Sequence, residues 1–223
     1  LACDRLERDD SLRVVIVTGA GDQAFAAGAD LHSINQLGPR AMADYIELGQ
    51  RAMRRLETLR VPVLAALNGV ALGGGLELAL ACDIILACTD TKVGLPEVGL
   101  GVIPGFGGTQ RLIQRCGVGV ARRMIYSGEM IPAVEAHRLG VVDVISDSQQ
   151  LLPEARRLAG VIASRAPLAV RQAKKVIRNA EERMLLSGLR DEVETFLKLF
   201  ETTDREEGMN AFLQRRDPVF TGR

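Results

Sequence analysis

Short β-branched runs alternate with helical patterns as far as residue 147, and beyond that point the strand patterns stop. This alternation constrains the fold more than any other feature, because strands separated by helix-length segments pair in parallel through crossover connections. Arg13-Val14-Val15-Ile16-Val17-Thr18 reads as a buried strand closed by Gly19, and Met42 to Leu59 as a long amphipathic helix ended by Val61-Pro62. Val63 to Leu67 then reads as a strand, Gly75 to Ala81 as a helix and Asp83 to Ala87 as a further strand. The glycine density from Gly94 to Gly108 predicts a tightly turned loop. Leu151 to Ser164, Leu168 to Ala180, Leu185 to Phe200 and Arg205 to Gln214 read as helices separated by Pro167, Asn179 and Thr202-Thr203. The expected organisation is an α/β core over residues 1–147 and a helical region over 148–223 whose apolar faces need a partner.

A chain of 223 residues can bury a sizeable core. Lys+Arg and Asp+Glu balance at 28 each, which provides no global field for nucleic acid or an anionic membrane. Cys3, Cys82, Cys88 and Cys116 show neither C-x-x-C spacing nor the density of a secreted disulfide scaffold, so free thiols in a reducing compartment are expected. No apolar run reaches the length of a membrane span, since Val61 to Leu67 and Val70 to Leu72 are soon broken by glycine or charge. Leu1 is not an initiator methionine, which leaves a preceding targeting segment open. A bacterial cytoplasmic setting is expected ahead of a mitochondrial matrix, on an arginine-rich usage in which Lys92, Lys174, Lys175 and Lys198 are the only lysines.

Several glycine patterns imitate phosphate loops and fail on context. Gly19-Ala20-Gly21 follows a strand but opens no long helix, so a strand-exit turn is expected there. Gly101 to Thr109 lacks the Lys-[Ser/Thr] ending of a nucleotide loop. His32 and His137 stand apart from any ligand cluster, and no metal site is expected.

Glu77 and Glu97, twenty residues apart, carry most of the chemical information. Glu77 follows Gly73-Gly74-Gly75 in the first turn of a strong helix former, and Glu97 follows Pro96. A helix N-terminus leaves N–H groups unpaired and partly positive, which suits an oxyanion, and a carboxylate pair can move protons in both directions. A lone GGG-x-E is satisfied as well by tight helix packing and an acid that complements the helix dipole. A second turn of the same character, Ala26-Ala27-Gly28-Ala29-Asp30, changes that balance, because two backbone turns can hold a polarised carbonyl oxygen from both lone-pair directions. A paired-carboxylate glycosidase is the competing use of two acids, but sugar clefts are lined with aromatics and this chain has no Trp and 2 Tyr.

The segments Phe25 to Leu31, Asn68-Gly69-Val70-Ala71-Leu72-Gly73-Gly74-Gly75-Leu76-Glu77-Leu78-Ala79, and Pro96-Glu97 through Gly107-Gly108-Thr109-Gln110-Arg111-Leu112 resemble the crotonase family, enoyl-CoA hydratases in particular. The resemblance runs from Arg13 to Arg205–Phe212 and so covers nearly the whole chain. It implies an α/β, crotonase-like spiral of ββα turns with a C-terminal helical trimerisation region, assembled as a homotrimer or a dimer of trimers. Position by position, it implies an oxyanion hole from the backbone N–H groups of Ala29 and Gly74, with Glu77 and Glu97 catalytic. Substrate contacts are implied at Ala27, Asp30, Leu31, Gly73, Pro104 and Gly105. The implied substrate is a 2-enoyl-CoA thioester in fatty-acid or branched-chain acyl-CoA breakdown, with no separate cofactor because CoA is part of the substrate. Glu77 would orient and deprotonate water and Glu97 would deliver the α-proton, giving a hydro-lyase.

Alternatives remain open at this point. Isomerases of the same fold often keep one acid, whereas both are present here; a methylglutaconyl-CoA-type hydratase and an inactive assembly member are further possibilities. An RNA-binding relative directs attention to Arg51, Arg54, Arg55 and Arg60, but Asp44, Glu47 and Glu57 interleave with them and no aromatic platform is near. The family's strand and first CoA-facing segment before Leu1 are absent from this sequence. His32 stands where hydratases commonly have lysine near CoA, and Arg215 and Arg216 are either CoA contacts for a neighbouring subunit or a solvated basic face. Ile34, Leu37 and the Leu100 to Phe106 loop are placed near the acyl chain, with ordinary core packing an equal account of Ile34 and Leu37.

Overall fold

A computed structural model describes residues 2–221, with side chains described outside 182–188 and 191. Helix α1 (Ala2–Arg8) precedes strands β1 (Val15–Thr18) and β2 (Ala24–Ala26), which lead into helices α2 (Leu31–Asn35) and α3 (Pro39–Glu57). Strands β3 (Val63–Leu67) and β4 (Val70–Leu72) lead into α4 (Gly74–Leu80), and β5 (Ile84–Cys88) and β6 (Lys92–Gly94) into a 3-10 turn at Pro96–Leu100 and helix α5 (Gly108–Ser127). Then come β7 (Met130–Pro132), α6 (Ala133–Arg138), β8 (Val144–Ser146), α7 (Leu151–Ala163), α8 (Pro167–Phe200) and α9 (Thr203–Leu213).

Each ββ pair contributes one strand to each of two sheets, ordered β1-β3-β5-β8 and β2-β4-β6-β7. All pairings are parallel except β6 with β7. Helices between the parallel strand pairs make those returns crossovers, so the chain advances as a spiral of ββα turns. Strand β3 lies at the centre, with every residue from Val63 to Leu67 fully buried. Its unbroken apolar run fits a strand covered on both faces. Leu67, Ala71, Leu76 and Leu95 join one core; Leu64, Ala66 and Leu86 meet Leu151 and Ala155 of α7 in another. A third cluster joins Ile34, Met42 and Ile46 to Phe196, Phe200 and Met209 of the last two helices.

The expected strands and helices reappear with ends shifted by a few residues, with one clear correction. Asn179 does not separate two helices, and α8 runs unbroken from Pro167 to Phe200. Asparagine in a helix interior costs only a few tenths of a kcal/mol, about 0.7 at most, so it cannot end a helix held by packing. The α8 helix gains that packing against α3 and α5. Gly117, at φ 80°, introduces a kink within α5.

Candidate active site

Strands β2, β4 and β6 are parallel neighbours in one sheet, so their C-terminal ends lie side by side. Each runs directly into one of the turns singled out in the sequence: Ala27–Asp30 after β2, Gly73 and Gly74 after β4, Pro96-Glu97 after β6. Open parallel sheets present ligand sites at such ends, where strands stop and helices begin. Segments about twenty to seventy residues apart in the chain thereby converge on one cavity.

The first two turns touch closely. Gly75 packs so tightly on β2 that a Cβ there would lie 2.5 Å from the Ala26 carbonyl carbon and 2.9 Å from the Ala26 Cβ. Gly73 bridges strand and helix at φ 53° and ψ −127°, a conformation costly for any side chain. A Cβ on Gly73 would meet Glu97 Oε1 at 3.0 Å, which places that carboxylate directly over the glycine turn.

A cavity of about 490 Å³ opens on these turns. Ala27, Ala29, Leu31, Gly73, Gly74, Glu77, Glu97 and Gly105 all contribute to its wall. Two expected contacts do not line it. The Asp30 carboxylate caps α2, accepting from His32 N at 3.1 Å and from the Ser33 hydroxyl at 2.5 Å. Those bonds hold it below the usual carboxylate range and turn it to solvent. Pro104 is buried behind the wall, beside the Gly108 backbone. The remaining wall is apolar: Ile34, Met42, Tyr45 and Ile46 from one side, Phe196, Met209 and Phe212 from the last two helices. Ile34 therefore serves both as core and as cavity wall, and Leu37 packs behind it.

Glu77 is 1% exposed. Its Oε1 accepts from the backbone N–H groups of Phe106 at 2.8 Å and Gly108 at 2.7 Å. Burial, then the neighbouring charges of Glu97 and Glu192, push the Glu77 carboxyl well above its ordinary range despite those two bonds. Burial also raises Glu97 from 4.5 to about 7, with Glu192 adding to the effect. Glu97 Oε2 is buried with no hydrogen-bond partner among the described residues. Burial therefore favours the protonated form of both carboxyls, and a charge on Glu97 further disfavours one on Glu77.

Sequence reasoning missed Glu192, a third buried carboxylate, and the run of N–H groups from Phe106 to Thr109. The available signal was an acid on the apolar stripe formed by Leu189, Phe196 and Phe200. Elsewhere, a recess of about 460 Å³ near Arg54, Asp83, Arg111 and Lys174 is charged; there Lys174 pairs with Asp83 at 2.7 Å and Arg111 with Glu57 at 2.5 Å. Among the described residues no group of three or more His, Cys, Asp or Glu could hold a metal, and no helix is long and apolar enough to cross a membrane.

The family model for enoyl-CoA hydratase/isomerase matches residues 2–223. The chain belongs to this family. A crotonyl-CoA hydratase from Syntrophomonas wolfei is 42% identical over 95% of this chain and 82% of its own. A short-chain-enoyl-CoA hydratase from Clostridium acetobutylicum is 41% identical over 95% of this chain and 81% of its own. The crystal structure of an enoyl-CoA hydratase from Bacillus anthracis superposes with a TM-score of 0.79 at 40% identity, covering 100% of this chain and 86% of that one. The crotonase-like α/β spiral expected from the motifs is thus the fold of this family member.

Proposed function

We propose that this protein is a 2-enoyl-CoA hydratase that adds water reversibly across the C2–C3 double bond of an acyl-CoA thioester. The observation that carries the reading is the pair of buried acids, Glu77 and Glu97, facing one apolar cavity beside the Gly73-Gly74 turn. Addition at C3 requires electron density to flow into the thioester carbonyl. The backbone N–H groups of Ala29 and Gly74 receive that charge as an oxyanion hole, at adjoining strand ends. Donors of this type contribute about 10² to 10³ in rate each. Glu77 orients water and accepts its proton, while Glu97 donates a proton to C2. In the reverse direction the same groups exchange roles.

Two acids rather than one favour hydration over double-bond migration. Relatives named as crotonyl-CoA and short-chain-enoyl-CoA hydratases support the same substrate class. Ala27, Leu31, Gly73 and Gly105 contact the substrate in this reading, and the apolar wall takes the acyl tail. No separate cofactor takes part. Assembly as a trimer or dimer of trimers belongs to the same proposal, with the helical region 148–223 as its mediator. Exposed Leu168, Val176 and Ile177 on α8 support it. A bacterial cytoplasmic setting belongs to the same proposal, on the lysine-poor composition.

Crotonyl-CoA turnover, followed by loss of the enoyl-thioester absorbance, tests the assignment. Hydration is expected, and none across short and long 2-enoyl-CoAs would overturn it.

A further inference from the structure

Glu192 has no part in the two-acid chemistry, yet it is 3% exposed and ionisable. It sits on the face of α8 that packs against α3 and α5. Its Oε1 accepts from Gly107 N at 2.6 Å and Gln50 Nε2 at 3.3 Å; its Oε2 accepts from Thr109 N at 3.2 Å and from the Thr109 hydroxyl. Backbone and amide donors surround both oxygens and favour the ionised form, but burial outweighs them and raises the carboxyl above its ordinary range. The intervening N–H groups of the same turn, those of Phe106 and Gly108, go to Glu77 Oε1. Four consecutive N–H groups thus alternate between two carboxylates on opposite sides of one turn.

We propose that Glu192 is a positioning residue, pinning the 106–109 turn through Gly107 and Thr109 so that Phe106 and Gly108 hold Glu77 in its working orientation. The inference rests on the hydratase reading above. With Oε1 of Glu77 fixed by two donors, Oε2 is the oxygen left to handle water, and its direction is set by a turn anchored from α8. The anchor can also carry charge. Glu192 faces Glu77 on α4, Glu97 on the 3-10 turn and Arg111 on α5, with neutral Gln50 on α3. Arg111 is itself engaged by Glu57 at 2.5 Å and the Phe106 carbonyl at 2.6 Å. When ionised, Glu192 disfavours ionisation of both Glu77 and Glu97.

Two substitutions separate position from charge. Glu192→Gln keeps the side-chain shape, removes the charge and leaves the Thr109 N–H without its carboxylate. It is expected to lower kcat about 10- to 100-fold with KM within about threefold, as misplacement of a reacting group does. The pH profile of kcat/KM should also move towards lower pH by about half a unit or more, because a like charge has been removed. Glu192→Asp keeps the charge but withdraws the carboxylate by one methylene, so kcat should fall while the profile stays in place. Should Glu192→Gln fail to fold, the aspartate variant still decides the positional claim. Titration of 13C-labelled glutamate carboxyls reads the charge effect without turnover, with the Glu97 midpoint expected to drop in Glu192→Gln. An inactive wild type would sink the hydratase reading while leaving this titration to judge Glu192. Wild-type kcat in both variants, or an unmoved Glu97 midpoint in Glu192→Gln, would overturn the proposal.

Discussion

Gly74→Ala and Gly75→Ala should differ sharply, in the opposite sense to what their catalytic closeness suggests. Gly74 is the proposed oxyanion donor, but a methyl group leaves its N–H in place. The new Cβ would meet the Phe106 ring at 3.2 Å, an edge that can turn aside by a few tenths of an ångström. Gly75 donates nothing to the substrate, but its Cβ would lie 2.5 Å from the Ala26 carbonyl carbon. Carbon atoms pack at about 3.5 to 4.0 Å, so the α4 N-terminus and β2 must part by about 1 Å. That gap opens between the two turns proposed to supply the oxyanion hole. Misplacement on this scale costs about 10² in rate. Overpacking of this kind typically costs about 1 to 3 kcal/mol, offset in part by the better helix propensity of alanine, about 1 kcal/mol. Crotonyl-CoA kinetics, paired with urea unfolding to confirm that each variant is folded, measures both effects. Gly75→Ala is expected to lose about 100-fold in kcat, and Gly74→Ala to stay within about fivefold of wild type. A folded Gly75→Ala with near wild-type kcat would refute the claim that β2–α4 contact sets the hole, as would an equal loss in Gly74→Ala.

Glu97→Gln and Glu77→Gln should each bind CoA esters while losing about 10² to 10⁴ in turnover, and near wild-type rates in either would remove its role. With Glu97 titrating at about 7, its acid form is lost as pH rises, so kcat/KM for hydration should decline above neutrality. A carboxyl raised from 4.5 to about 7 on folding favours the folded state below pH 4.5, and that contribution is lost as pH rises through 7. Glu97→Gln should therefore stabilise the protein at pH 8, by up to about 3 kcal/mol, and much less at pH 5; equal unfolding midpoints at both pH values would contradict this. Arg111→Ala, which strips a buried ion pair to Glu57 and a bond to the Phe106 carbonyl, should cost about 3 kcal/mol in urea unfolding. RNA retention in filter binding at moderate salt should be absent, since Arg51, Arg55 and Arg60 pair with Glu47, Asp4 and Asp10, and Arg54 with Glu57. Salt-sensitive retention would reopen that reading.

Local patterns were legible wherever a short-range rule governs the backbone. The β3 run Val63–Leu67 and the α4 start at the triple glycine follow from apolar continuity and from the missing Cβ. Gly19-Ala20-Gly21 is the strand-exit turn expected, tied down by Asn68, whose side chain accepts from Gly19 N at 2.9 Å and donates to Gly21 O at 2.7 Å. Short strands such as β6 and β7, three residues each, carry too few side chains for a period to show. The Asn179 break failed because helix ends are decided by packing on neighbours as well as by propensity.

By itself the sequence determined the family, the alternation of strands with helices and the presence of the acids Glu77 and Glu97, because motif identity and backbone permission are written residue by residue. Tertiary structure decided what those acids experience. Parallel pairing of β2, β4 and β6 brings three distant turns to one edge, and closure by α8 and α9 buries the carboxyls deeply enough to raise both. It also decided that Asp30 serves a helix cap and that Glu192 shares a turn with Glu77. Desolvation and shared hydrogen bonds depend on which surfaces meet, and no spacing along the chain specifies that meeting.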